Sequence, residues 1–90
     1  MVQVEQIDDT TYEVTVEGPP TTTHRVTVRP EYYQKLTGGR VAPERLVERS
    51  FDFLLQRESN TSILSSFDLS VIQRYFPEYE SAIGGMLEGE

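Results

Sequence analysis

Two runs in the first third of the chain, TYEVTVE at 11–17 and HRVTVR at 24–29, alternate apolar and polar residues with a period of two. Tyr12, Val14 and Val16 fall on one side of the first run and Val26 and Val28 on one side of the second, while Thr11, Glu13, Thr15, Arg25, Thr27 and Arg29 fall opposite. That pattern belongs to strands with one buried face. Between the runs, Gly18 tolerates positive φ and Pro19 and Pro20 cannot continue a ladder, so EGPPTTT is a turn and the two strands form a hairpin. VQVEQI at 2–7, joined through the turn-prone Asp8-Asp9-Thr10, adds an edge strand. The apolar face of this three-stranded meander requires a cover.

The cover is the helix at 43–57, within PERLVERSFDFLLQRE. At 100° per residue, Leu46, Val47, Phe51, Phe53, Leu54 and Leu55 gather over half the circumference, opposite Arg45, Glu48, Arg49, Asp52 and Gln56. Pro43 opens this helix, and Pro30 opens a shorter one at 31–37 that ends at Gly38 or Gly39 in a left-handed cap. Further along, Ser65 and Asp68 have capping-box spacing, and Phe67, Val71 and Tyr75 repeat at four-residue intervals, predicting a helix over 66–76. Pro77 starts a last helix at 78–83, with residues 84–90 frayed. The expected fold is α+β: a three-stranded antiparallel meander, with strands at 2–7, 11–17 and 23–29, packed against one main helix and three shorter ones in a single domain over 1–90.

Composition narrows the chemistry. The absence of cysteine removes disulfides and thiolate sites and suits a cytoplasmic protein, and no apolar run approaches the roughly 20 residues of a membrane helix. The alternation begins at once and carries acids, unlike a targeting peptide. The net charge of −7 is uneven: five acids against two bases in 1–29, five against five in 30–58, and five against one in 59–90. Such a chain is repelled by phosphate at long range, so nucleic acid is a disfavoured partner.

No catalytic or cofactor set emerges. His24 is the sole histidine, too few for a histidine metal site, and its place after Thr21-Thr22-Thr23 makes it a partly exposed strand-end residue without a role. Asp8 and Asp9 lack the spaced ligands of a calcium loop, and Gly38-Gly39-Arg40 lacks the Lys-Ser/Thr ending of a phosphate loop. The pairs Glu44/Glu48 and Glu78/Glu80 lie on solvated helix surfaces without a nucleophile beside them. The expectation is a protein that is not an enzyme and binds no metal, nucleotide or nicotinamide cofactor.

Two surfaces remain for recognition. From HRVTVRPEYYQKLTGG through VAPERLVERSFDFLL, the order strand, short helix, glycine turn, longer helix loosely resembles the ribbon-helix-helix DNA-binding regulators, which include antitoxins. That resemblance implies a dimer whose outward strand residues, here Arg25, Thr27 and Arg29, enter the major groove. The preferred reading of the same arginines is charge compensation: if Val14 pairs with Val26, Glu13 lies diagonally near both. The second surface is the aromatic stretch SILSSFDLSVIQRYFPEYESAI at 62–83. There Phe67, Val71 and Ile72 are expected to plug the core, while Tyr75, Phe76 and Tyr79 are candidates for contact with an unknown protein partner or a second copy. The leading expectation is a small acidic protein-protein interaction or adaptor module; the alternative is the dimeric DNA-binding regulator.

Overall fold

A computed structural model describes residues 1–88. Its order is β1 (Val2–Gln6), β2 (Thr11–Val16), β3 (Thr22–Thr27), α1 (Pro30–Thr37), α2 (Pro43–Leu55), a 3-10 turn (Asn60–Ser62), β4 (Ser66–Asp68), α3 (Val71–Tyr75) and α4 (Tyr79–Leu87). The architecture is α+β, with a mixed sheet in the spatial order β1-β2-β3-β4: three antiparallel strands and β4 parallel to β3.

The alternation does what its period dictates. Tyr12, Val14 and Val16 of β2, Val26 of β3 and the following Val28 are buried on one face, beneath α2, which packs on β1 and β2. The turn between β1 and β2 is held by Asp8, whose carboxylate accepts from the amides of Thr10 (3.0 Å) and Thr11 (2.9 Å). Those bonds, the Thr10 amide foremost, hold the Asp8 carboxyl below its ordinary value. Both helix-opening prolines stand in the first turns of α1 and α2, and Gly38 ends α1 at φ 64°, its amide bonded to the Gln34 carbonyl at 2.8 Å.

The hairpin register differs from the one expected. Val14 lies opposite His24, Tyr12 opposite Val26, and Glu13 directly opposite Arg25. A shift of two residues keeps every side chain on its face, so alternation alone does not distinguish the registers. Loop chemistry does: with Val16 opposite Thr22, only residues 17–21 turn the chain, and the Thr21 hydroxyl donates to the Gly18 carbonyl at 3.1 Å.

The larger departure is at 66–76, where a helix was expected. Ser66–Asp68 instead forms β4, and the helix is confined to Val71–Tyr75. A meander ending at β3 leaves that strand's outer amides and carbonyls without partners, and β4 supplies them: the Arg25 amide donates to the Ser65 carbonyl (2.8 Å) and the Leu69 amide to the Thr27 carbonyl (2.9 Å). Asp68 caps forward rather than back toward Ser65, accepting from the Ser70 amide (2.9 Å) and hydroxyl (2.7 Å). Phe67 is therefore a half-buried strand residue opposite Val26, and Val71 is also only half-buried, whereas Leu69 and Ile72 are fully in the core.

The last helix also exceeds its expected end. It continues through Leu87, which is buried, so residues 84–87 are helical rather than frayed; the frayed end expected for 89–90 lies outside the described residues. α4 packs against α2 and α1. Glu80 fastens it, accepting from the Tyr32 hydroxyl at 2.8 Å and pairing with Lys35 at 3.2 Å. No helix among the described residues is long and apolar enough to cross a membrane.

Of three buried phenols, Tyr12, Tyr32 and Tyr79, the last two set the fold's main alkaline limit. Burial pushes Tyr32 and Tyr79 well above the ordinary phenol value of 10.0, with the Glu80 carboxylate adding to it in both. Up to that value both folded and unfolded chains hold the protons; above it the unfolded chain releases them first, and stability falls as pH rises toward the raised native values. Urea midpoints are expected to stay level with respect to these two groups below about pH 9 and drop above about pH 10, with a shallower drop in Tyr79→Phe.

Candidate functional site

Beside β4 the surface opens into a groove of about 200 Å³. Leu54 and Glu58 line it from the end of α2 and beyond, Ile63 and Leu64 from the segment after the 3-10 turn, Phe67 from β4, and Val71, Ile72, Tyr75 and Phe76 from α3 and its end. Leu64 (48%) and Tyr75 (67%) are among the most exposed large apolar side chains of the described residues. Glu58 is the one charged side chain in the lining; it is half-buried and makes no ion pair among the described residues. A hollow of about 320 Å³ also lies between α1 and α4, lined by polar groups such as Thr37, Arg40 and Glu88.

The groove keeps its shape through a buried relay. His24, expected at a partly exposed strand end, is only 2% exposed, because the segment 60–64 crosses over it. Its Nδ1 lies 2.8 Å from the Leu64 carbonyl, which can only accept, so Nδ1 carries the proton and donates. Nε2 then accepts from the Thr22 hydroxyl at 2.8 Å, and that oxygen accepts from the Asn60 amide at 3.0 Å. The ring also packs on Phe51, with centroids 5.4 Å apart, and Phe51 in turn meets Phe67 at 6.1 Å. Histidine thus fixes one wall of the groove from β3.

The three C-terminal aromatics expected to form one contact patch are separated by the fold. Tyr75 stands on the groove rim, and Phe76 is half-buried, reaching the groove while meeting Phe53 edge-on at 5.9 Å. Tyr79 is not on the surface at all: it is fully buried, 5.3 Å from Phe53, and bonded to Ser50 at 2.7 Å. Pro77 ends the α3 direction, so the one-turn spacing that would keep Tyr75 and Tyr79 together is broken between them. Leu54, Glu58 and Leu64 were not among the expected site residues. Ile63-Leu64 is the only hint in the sequence, two adjacent apolar residues after a polar loop, without periodicity to assign them a face.

The second surface, with Arg25, Thr27 and Arg29, is occupied. Arg25 pairs with Glu13 at 3.6 Å, and Arg29 with Asp68 at 3.0 Å and Glu31 at 4.0 Å. Burial pushes the Asp68 carboxyl up, but its bonds from Ser70 and the Arg29 charge outweigh this and hold it below its ordinary value. β3 is bonded to β2 on one side and β4 on the other, leaving no edge for ribbon pairing with a second copy. Among the described residues no three His, Asp or Glu side chains converge to hold a metal ion. No protein-family model, curated protein or solved structure matches this chain.

Proposed function

We propose that this protein is a small non-catalytic interaction module that captures another protein through the groove beside β4. The observation that carries the reading is the contrast within one aromatic stretch: Tyr79 is sealed in the core, whereas Leu64 and Tyr75 expose large apolar surface around a concave site. Exposed apolar side chains framing a hollow are the usual anchors of a protein contact. Several acids elsewhere are engaged in pairing, Glu13 with Arg25, Glu78 with Arg57 and Glu80 with Lys35, which supports recognition over acid-base chemistry.

Leu64→Glu and Tyr75→Glu test the proposal, with Arg25→Ala on the opposite sheet face as control. Both groove variants are expected to unfold within about 0.5 kcal/mol of the parent, since the replaced side chains are largely exposed. A protein retained from native cell extract by the parent and by Arg25→Ala should be lost to the groove variants, each costing about 2 kcal/mol or more of binding. Retention unchanged by either groove variant sinks the reading.

A further inference from the structure

The groove borders an open sheet edge. In the parallel β3–β4 pair, Arg25 opposes Ser66, Val26 opposes Phe67 and Thr27 opposes Asp68. Since the Arg25 amide reaches the Ser65 carbonyl and the Leu69 amide reaches the Thr27 carbonyl, the alternation of the ladder turns the Phe67 backbone toward β3 and the Ser66 and Asp68 backbones away. No described segment bonds the amides or carbonyls of Ser66 and Asp68. The side chain of Phe67 points the other way in the pleat, to the inner face, where it lines the groove. An edge with unpaired backbone groups and a hydrophobic hollow directly beneath it are the two parts needed to bind a peptide by strand addition. β1 has a free edge too, but the groove does not border it.

Charge supplies the remaining element. Glu58 is the lining's one charged group and has no ion pair among the described residues, whereas the neighbouring charges are committed: Arg57 to Glu78 at 3.2 Å and over the Phe53 ring, and Asp68 to Arg29 and Ser70. A half-buried carboxylate beside apolar walls favours a cation brought by the occupant, and the −7 net charge attracts such a segment at long range. The hollow, at about 200 Å³, exceeds the cavity of about 150 Å³ that holds benzene, so it accepts a ring or a branched aliphatic side chain.

Resting on the groove as the docking site, we propose that its occupant is an extended peptide segment that pairs its backbone with β4, sets apolar side chains two residues apart into the groove, and carries a lysine or arginine against Glu58. Two-residue spacing follows from strand geometry, in which alternate side chains share a face.

Selection of a displayed library of random peptides, about twelve residues long, on the full chain tests this directly. Enriched peptides are expected to carry apolar residues at i and i+2 with a nearby lysine or arginine, and to slow exchange of the Ser66 and Asp68 amides when bound. Glu58→Lys should weaken a selected peptide by about tenfold or more, and exchanging the peptide's basic residue for glutamate should restore binding to that variant. Peptides that need Leu64 and Tyr75 but show apolar residues at i and i+4, or ignore Glu58→Lys, overturn the strand-addition proposal and leave the groove as the docking site. Enriched peptides indifferent to Leu64→Glu and Tyr75→Glu, or no enrichment, overturn both. A dimer that Leu64→Glu converts to a monomer in sedimentation makes a second copy the occupant and overturns the peptide.

Discussion

Replacing Tyr79 with alanine is expected to destabilise the fold by about 3–5 kcal/mol, whereas the same change at Tyr75, four residues earlier, should cost no more than about 0.5 kcal/mol. Tyr79 is 0% exposed and packs against Phe53, so its removal leaves a cavity between α2 and α4. Its hydroxyl is equally constrained. The Ser50 hydroxyl spends its one proton on the Leu46 carbonyl at 2.8 Å, so Tyr79 is the donor in the 2.7 Å bond between them. Tyr79→Phe keeps the ring and removes that donor, a loss of about 1 kcal/mol. Since a chain of this size is stable by only about 5–15 kcal/mol in all, the alanine variant will show a depressed melting temperature of about 4–8 °C for each kcal/mol lost. A Tyr79→Ala variant that melts like Tyr75→Ala would remove the α2–α4 packing from the account of this core.

The same pair of tyrosines shows where the sequence is readable. Period-two alternation in β2 and β3 and the apolar arc of α2 each encode a face, because a side chain's direction there follows from local geometry alone. Val14, Val26, Leu46 and Phe51 are accordingly buried where their spacing puts them. Between 60 and 78 the elements are three to five residues long, too short for a period to repeat, and backbone demand from a distant strand decides the outcome. Phe67, Val71 and Tyr75 have helical spacing, yet the unpaired edge of β3 draws Ser66–Asp68 into the sheet. A strand of three residues with no alternation of its own is chosen by its neighbour. The groove inherits this opacity: its walls come from α2, the 63–64 segment, β4 and α3, and only Tyr75 and Phe76 among them were legible as candidates for a partner surface. Register is hidden for another reason, since pairing Val14 with His24 or with Val26 buries the same faces.

His24 links this hidden part of the fold to the proposed function, and its replacement tests the link. In His24→Ala, Phe51 loses the ring it packs on, the Leu64 carbonyl loses its partner, and the Thr22 hydroxyl loses the acceptor of its proton while keeping the Asn60 amide. Cavity and orphaned polar groups together should cost about 2–4 kcal/mol. The bond to Leu64 spans 40 residues of chain and joins β3 to the groove wall, so its loss frees the Ile63-Leu64 segment as well as weakening the core. His24→Leu separates the two effects. Leucine retains apolar packing on Phe51 and should recover part of the stability, but it cannot donate to the carbonyl that places Leu64. Groove binding in His24→Leu, measured at a temperature where the variant is fully folded, is therefore expected to remain reduced, with faster amide exchange across 62–64 than in the parent. Parent-like binding and exchange in that variant would mean that the groove wall stands on Ile63 and the 3-10 turn alone, and that the histidine serves only the core.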